Sequence, residues 1–134
     1  MDKIDTIFKI GPQIAGDEAD NFAGKAYLER LVAKDDNYDL TIANVTFEPG
    51  CANSWHSHPG GQILLVTEGR GWYQEEGKDP VELLPGMVIK VPADVRHWHG
   101  AAKDSWLDHI AISPEIHKGP AGWQEPITHY DTIE

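Results

Sequence analysis

The sequence has a single cysteine, Cys51, no apolar stretch approaching the roughly 20 residues needed to cross a bilayer, and no cluster of basic side chains. Each shortage removes a class of protein. One cysteine cannot close an internal disulfide, and the N-terminus has no basic segment leading into an apolar run and a small-residue cleavage site, so a reducing cytoplasm is the expected compartment. The longest apolar run, Ile63-Leu64-Leu65-Val66, is strand-sized, which predicts a soluble chain with no membrane partner. The 11 basic residues are scattered among 22 acidic ones, for a formal charge of −11. Phosphate backbones are bound by gathered cations, so nucleic acid is not an expected partner. Helical spacing of apolar residues is nowhere sustained either. At 134 residues the chain has the length of one domain, able to bury about two thirds of its unfolded surface without staples.

What is present is a succession of short alternating segments punctuated by glycine and proline. Segments 24–32, 39–48, 62–68, 71–75, 81–84, 87–91, 95–101 and 105–113 read as strands, closed by turns such as Glu48-Pro49-Gly50, Glu76-Gly77-Lys78 and Pro85-Gly86. In 39–48, Thr41, Ala43, Val45 and Phe47 fall on one side and Asn44, Thr46 and Glu48 on the other. Roughly nine short strands with such turns predict an all-β antiparallel sandwich or barrel. Residues 1–21 read as an arm, 22–113 as the barrel and 114–134 as an irregular tail with Trp123 as its anchor.

Five of the seven histidines, His56, His58, His97, His99 and His109, lie on these central segments. The first four form two His-x-His pairs, and residues two apart on a strand point to the same face, so each pair offers both imidazoles to one side. Gln62 joins them if the bend at Pro59-Gly60-Gly61 returns the chain on the same side, where it shares a face with Leu64 and Val66. An amide among apolar neighbours needs a partner. Either a metal or a backbone group fills that need.

The spacing Gly50-x5-His56-x-His58-x3-Gln62-x6-Gly69, followed by Gly86-x5-Pro92-x-Asp94-x2-His97, resembles the two consensus motifs of the cupin superfamily. That resemblance implies a double-stranded β-helix, or jelly-roll barrel, commonly dimeric or a higher homo-oligomer, with one divalent metal inside. Its ligand positions fall on His56, His58, Gln62 and His97. Gln62 stands where the family usually has Glu, Asp94 where it has Gly, and Ala101 where it has Asn. The segments "VTFEPGCANSWHSHPGGQILLVTEGRGWYQEEG", "LPGMVIKVPADVRHWHGA" and "HIAI" further resemble small bacterial monocupins that include manganese-dependent hydroxynitrile lyases.

Three neutral imidazoles and one amide oxygen would leave an ion its full charge, and hence a stronger Lewis acid than a Glu ligand would permit. By resemblance the ion is Mn, with Fe, Ni and Zn suited by the same ligands. His99 shares the face of His97 and is expected to act as general acid or base on a small-molecule substrate. The resemblance gives His109 a proton-transfer role, against the alternative of a buried histidine bonded to backbone. Asn53 and Ser54 either hydrogen-bond a bound oxygen or serve as turn residues. Trp55 and Trp98, alternating with the ligands, should point outward. Cys51 is expected to be inert, and His117 and His129 exposed. The leading expectation is a metal-dependent lyase acting on a cyanohydrin. The alternatives are an iron-dependent dioxygenase and a non-catalytic cupin that binds a sugar or other small molecule.

Overall fold

The computed structural model of the chain describes residues 4–130. Its strands are β1 (Phe22–Ala23), β2 (Ala26–Val32), β3 (Leu40–Phe47), β4 (Ala52–Asn53), β5 (His56–Ser57), β6 (Gln62–Gly69), β7 (Gly71–Glu75), β8 (Val81–Leu83), β9 (Val88–Val91), β10 (His97–Ala101), β11 (Leu107–Pro114) and β12 (Gly122–Trp123). Five of them form one sheet in the order β2-β3-β11-β6-β9. The other sheet is built around β10, which pairs with β4 and β5 on one edge and with β7 on the other. Short β1 extends β4, β8 extends β7, and β12 extends β5. Both sheets are antiparallel and curl toward each other, enclosing a core of Phe47, Leu64, Val66, Leu83, Val91 and Leu107. No helix among the described residues is long and apolar enough to cross a membrane.

The alternation along β3 is present, yet both of its faces are buried. Asn44 and Thr46, on the side away from the core, are fully covered, as is Asp108 on the neighbouring β11. Thr46 Oγ1 donates to one carboxylate oxygen of Asp108 at 2.6 Å and Thr67 Oγ1 to the other at 2.8 Å. Burial pushes the Asp108 carboxyl up, and these hydroxyls counter the shift. The N-terminal arm supplies part of the cover. Asn44 Nδ2 donates to the carbonyl of Lys9 at 3.1 Å, Ile14 N–H donates to the carbonyl of Ala26 at 2.9 Å, and Gln13 bridges to Tyr27. Tyr27 stacks on Trp106 and donates its hydroxyl to Glu48.

Two bends set the site. Gly61 has φ +79°, and a Cβ there would lie 2.9 Å from the carbonyl oxygen of Val91, so the turn that delivers Gln62 needs glycine. Asp94, standing where the cupin motif has glycine, has φ +65° and donates its N–H to the carbonyl of His58 at 2.9 Å. The left-handed conformation is retained because Asp tolerates it better than most residues.

Candidate metal centre

β5 and β10 pair with His56 opposite His97, so both His-x-His segments turn toward one cavity. The ring centroids of His56 and His97 lie 4.2 Å apart, those of His56 and His58 5.0 Å, and those of His58 and His97 5.5 Å. His56 and His97 each direct Nδ1 at the carbonyl two residues back, Ser54 at 2.7 Å and Val95 at 3.0 Å. Each Nδ1 therefore carries the proton, and each Nε2 is left with its lone pair.

Gln62 is buried beside them, and its Oε1 has no hydrogen-bond partner among the described residues; the same holds for Nε2 of His58 and of His97. Orphaned acceptors of this kind cost free energy unless something absent from the protein fills the space between them. Burial keeps the imidazoles neutral. It pushes His58 down to about 4, helped by His97 and opposed in part by the adjacent Gln62 side chain, and lowers His56 and His97 as well. Neutral lone pairs and an amide oxygen gathered in one cavity are the donor set a divalent ion takes. Grouped by proximity, the ligand atoms of His56, His97 and His99 all lie within 4.8 Å of one another, and these three histidines can hold a metal ion.

His99 sits one inward position beyond His97 on β10. Its backbone N–H donates to Asn53 Oδ1 at 2.9 Å, which turns the Asn53 amide nitrogen onto His99 Nε2 at 3.2 Å. With Asn53 donating to Nε2 the His99 ring proton lies on Nδ1, so His99 can join His56 and His97 around an ion only if the Asn53 amide gives way at Nε2. Asn53 is accordingly a positioning residue for His99. No local pattern marks this role, because the partner is 46 positions away. His109, opposite Val45 and Val66 on the five-stranded sheet, meets His99 edge-on at 4.8 Å. Neither ring nitrogen has a side-chain partner among the described residues, and burial pushes the ring down to about 4, opposed in part by the backbone at Ile110. Phe47 packs against both rings at 5.5 Å. These groups line a cavity of about 200 Å³ together with Ala43, Ala111 and Trp123.

Trp123, expected from the sequence to anchor the tail, is also a wall of the site. β12 pairs with β5, Trp123 opposite His56, and the two rings stack at 4.2 Å. Arg96 ties this tail down through Gln124 and Glu125 and lies 4.4 Å over the Trp55 ring. Trp98 points away from the cavity, buried, with Nε1 donating to Gln74. His129 is half-buried against Trp55 and Trp98 instead of exposed, because the tail returns over that face. His117 is exposed and pairs with Asp39. Cys51 is buried, its thiol pushed up to about 12 by desolvation, which suits an inert residue.

Residues 43–111 match the cupin domain family, and they contain all five central histidines. The chain belongs to the cupins. This cupin is 39% identical over 123 residues to an (R)-mandelonitrile lyase of Granulicella tundricola, covering 91% of the chain and 94% of that relative. It is 35% identical over 72 residues to an acireductone dioxygenase of Bacillus cytotoxicus, of which it spans only 40%. Among solved structures it superposes on a cupin-like protein of Thermotoga maritima with TM-score 0.89 and 44% identity, covering 96% of this chain and 97% of that one. The barrel is thus the cupin double-stranded β-helix.

Proposed function

We propose that His56, His58, His97 and Gln62 hold a divalent metal ion, manganese in the first instance, and that the protein is a lyase cleaving cyanohydrins. The observation that carries the reading is the set of inward, partnerless donor atoms, Nε2 of His58 and His97 and Oε1 of Gln62. The mandelonitrile lyase relative, spanning nearly all of the chain, supports the choice of reaction. A bound divalent ion supplies Lewis acidity toward a hydroxyl oxygen, and the all-neutral donor set leaves its charge uncancelled.

The protein's own groups then move the proton. His109 is neutral and offers a free lone pair, so it takes the hydroxyl proton. The carbon–carbon bond breaks, its electrons leave as cyanide, and the aldehyde carbonyl forms. The proton on His109 passes to cyanide, giving hydrogen cyanide and regenerating the neutral imidazole. His99, held by Asn53, directs Nδ1–H into the same space and orients the departing anion. Phe47, Ala43 and Ala111 exclude water around the pair.

The test is release of benzaldehyde and cyanide from mandelonitrile by manganese-loaded protein. Activity should vanish with chelator, persist without oxygen, and fall at least about a hundredfold in His109→Ala. Absence of metal-dependent release sinks the lyase reading. Gln62→Glu should keep the metal and slow turnover by about tenfold or more. An oxygen-dependent reaction on iron is the second reading, favoured by the dioxygenase relatives. Oxygen consumption separates the two.

A further inference from the structure

The cavity opens into an outer chamber of about 560 Å³, and the two share His58, Phe22, Leu28, Arg30, Thr41, Ser113 and Trp123 in their walls. Three of these residues form a polar row across one end of the five-stranded sheet. Thr41 on β3 is the register partner of Ser113 on β11, and Arg30 on β2 pairs with Ala43, one inward position along from Thr41. On the other side of β11, Ile112 pairs with Ile63, so Gln62 comes next, opposite Ser113. Deeper inward positions on these strands are apolar apart from His109: Ala43, Val45, Leu64, Val66 and Ala111. The row therefore runs from Gln62 through two hydroxyls to a guanidinium.

Arg30 is exposed at this junction, and its guanidinium has no ion-pair or hydrogen-bond partner among the described residues. In a chain of charge −11, where Arg70 and Arg96 are both engaged by carboxylates, a cation left unpaired in a cavity wall is unusual. The outer chamber also contains Glu18, so the anionic surroundings have not been cleared entirely. Adjacent strands lie about 4.8 Å apart and residues rise about 3.3 Å along a strand, so Arg30, two strands over and two residues along, lies about 12 Å from Ser113 at the backbone. A flexible arginine reaches back over most of that span.

We propose that Arg30, assisted by the Thr41 and Ser113 hydroxyls, is a carboxylate-binding subsite, and that the natural substrate is a small organic acid. Its anionic end pairs with Arg30 at the mouth while its reacting hydroxyl or carbonyl end enters the histidine cluster. The proposal rests on the lyase reading only for which end reacts. A guanidinium matches a carboxylate through two parallel N–H donors, which lysine cannot reproduce. Neutral mandelonitrile would then be an incomplete substrate.

The probes are para-(hydroxymethyl)benzoate and para-(hydroxymethyl)benzamide, alike in shape and different in charge, titrated calorimetrically into manganese-loaded and chelator-treated protein. The benzoate should bind about tenfold or more tightly than the amide in both forms. Arg30→Gln should abolish the preference, Arg30→Lys should retain part of it, and Glu18→Gln should enlarge it. Arg30 is exposed on a strand edge, so folding is not at issue, and circular dichroism checks it. Equal binding of the two probes by the wild-type protein, or an unchanged preference in Arg30→Gln, overturns the proposal. If the preference is present while mandelonitrile is untouched, the lyase reading falls and the subsite stands.

Discussion

At the scale of single residues, the site is governed by which lone pairs are already in use. His56 and His97 each commit one ring nitrogen to a backbone carbonyl, and His99 commits one to Asn53, so each ring has a fixed tautomer. Such hydrogen bonds hold an imidazole's orientation as firmly as its rotamer does. Asn53→Ala should release the His99 ring while leaving the His56, His58, Gln62 and His97 donors intact. Turnover should then fall about tenfold or more with metal content unchanged, read by elemental analysis alongside steady-state kinetics. Loss of metal in that variant would mean that the His99–Asn53 pair holds the ion or its donors, and not the departing group. Asp94, by contrast, shows that a departure from a family motif can be conformationally silent, since aspartate keeps the left-handed backbone of the glycine it replaces.

Among elements, the central strands and the face they turn inward were readable from alternation, His-x-His spacing and Gly-Pro turns. Those signals are local. The tail was not readable, because β12 is two residues long and too short to show any period. Nor was the burial of Asn44, whose acceptors are backbone carbonyls 35 and 36 positions away in the arm. Long-range cover of this kind leaves no mark on a strand's own pattern. Arg96 is the joint between barrel and tail: it pairs with Glu76, Gln124 and Glu125 and lies over Trp55. Each exposed ion pair is worth little, yet together they sit where β12 meets β5. Arg96→Ala should cost about 1 kcal/mol of global stability but speed proteolysis after Lys118 severalfold. An unchanged cleavage rate would show that the β12 ladder holds the tail without Arg96.

For the whole molecule, the dominant property is a cluster of buried and half-buried neutral histidines inside an acidic protein. Burial depresses His58 and His109 to about 4. Above pH about 6.5 they are neutral in both the folded and unfolded chain and contribute nothing to pH dependence. Below that, the unfolded chain takes up protons which the folded chain refuses, so metal-free protein should lose stability progressively from pH 6.5 to about 4. His109 alone accounts for about 3 kcal/mol of that loss. Urea unfolding of chelator-treated protein at several pH values measures it, and His109→Phe should flatten the slope. Adding manganese should raise the midpoint by mass action, with a gain that shrinks on acidification as protons compete for the same nitrogens.

The pairing of Trp123 with His56 has one more consequence. The strand that carries a candidate metal donor and the strand that walls the entrance belong to one hydrogen-bonded ladder, so the doorway is mechanically spliced to the grip. Peeling the tail away to admit a bulkier molecule would soften the bed beneath His56. Variation in substrate size and variation in metal retention are therefore one trait in this barrel, and selection or engineering of either would carry the other along.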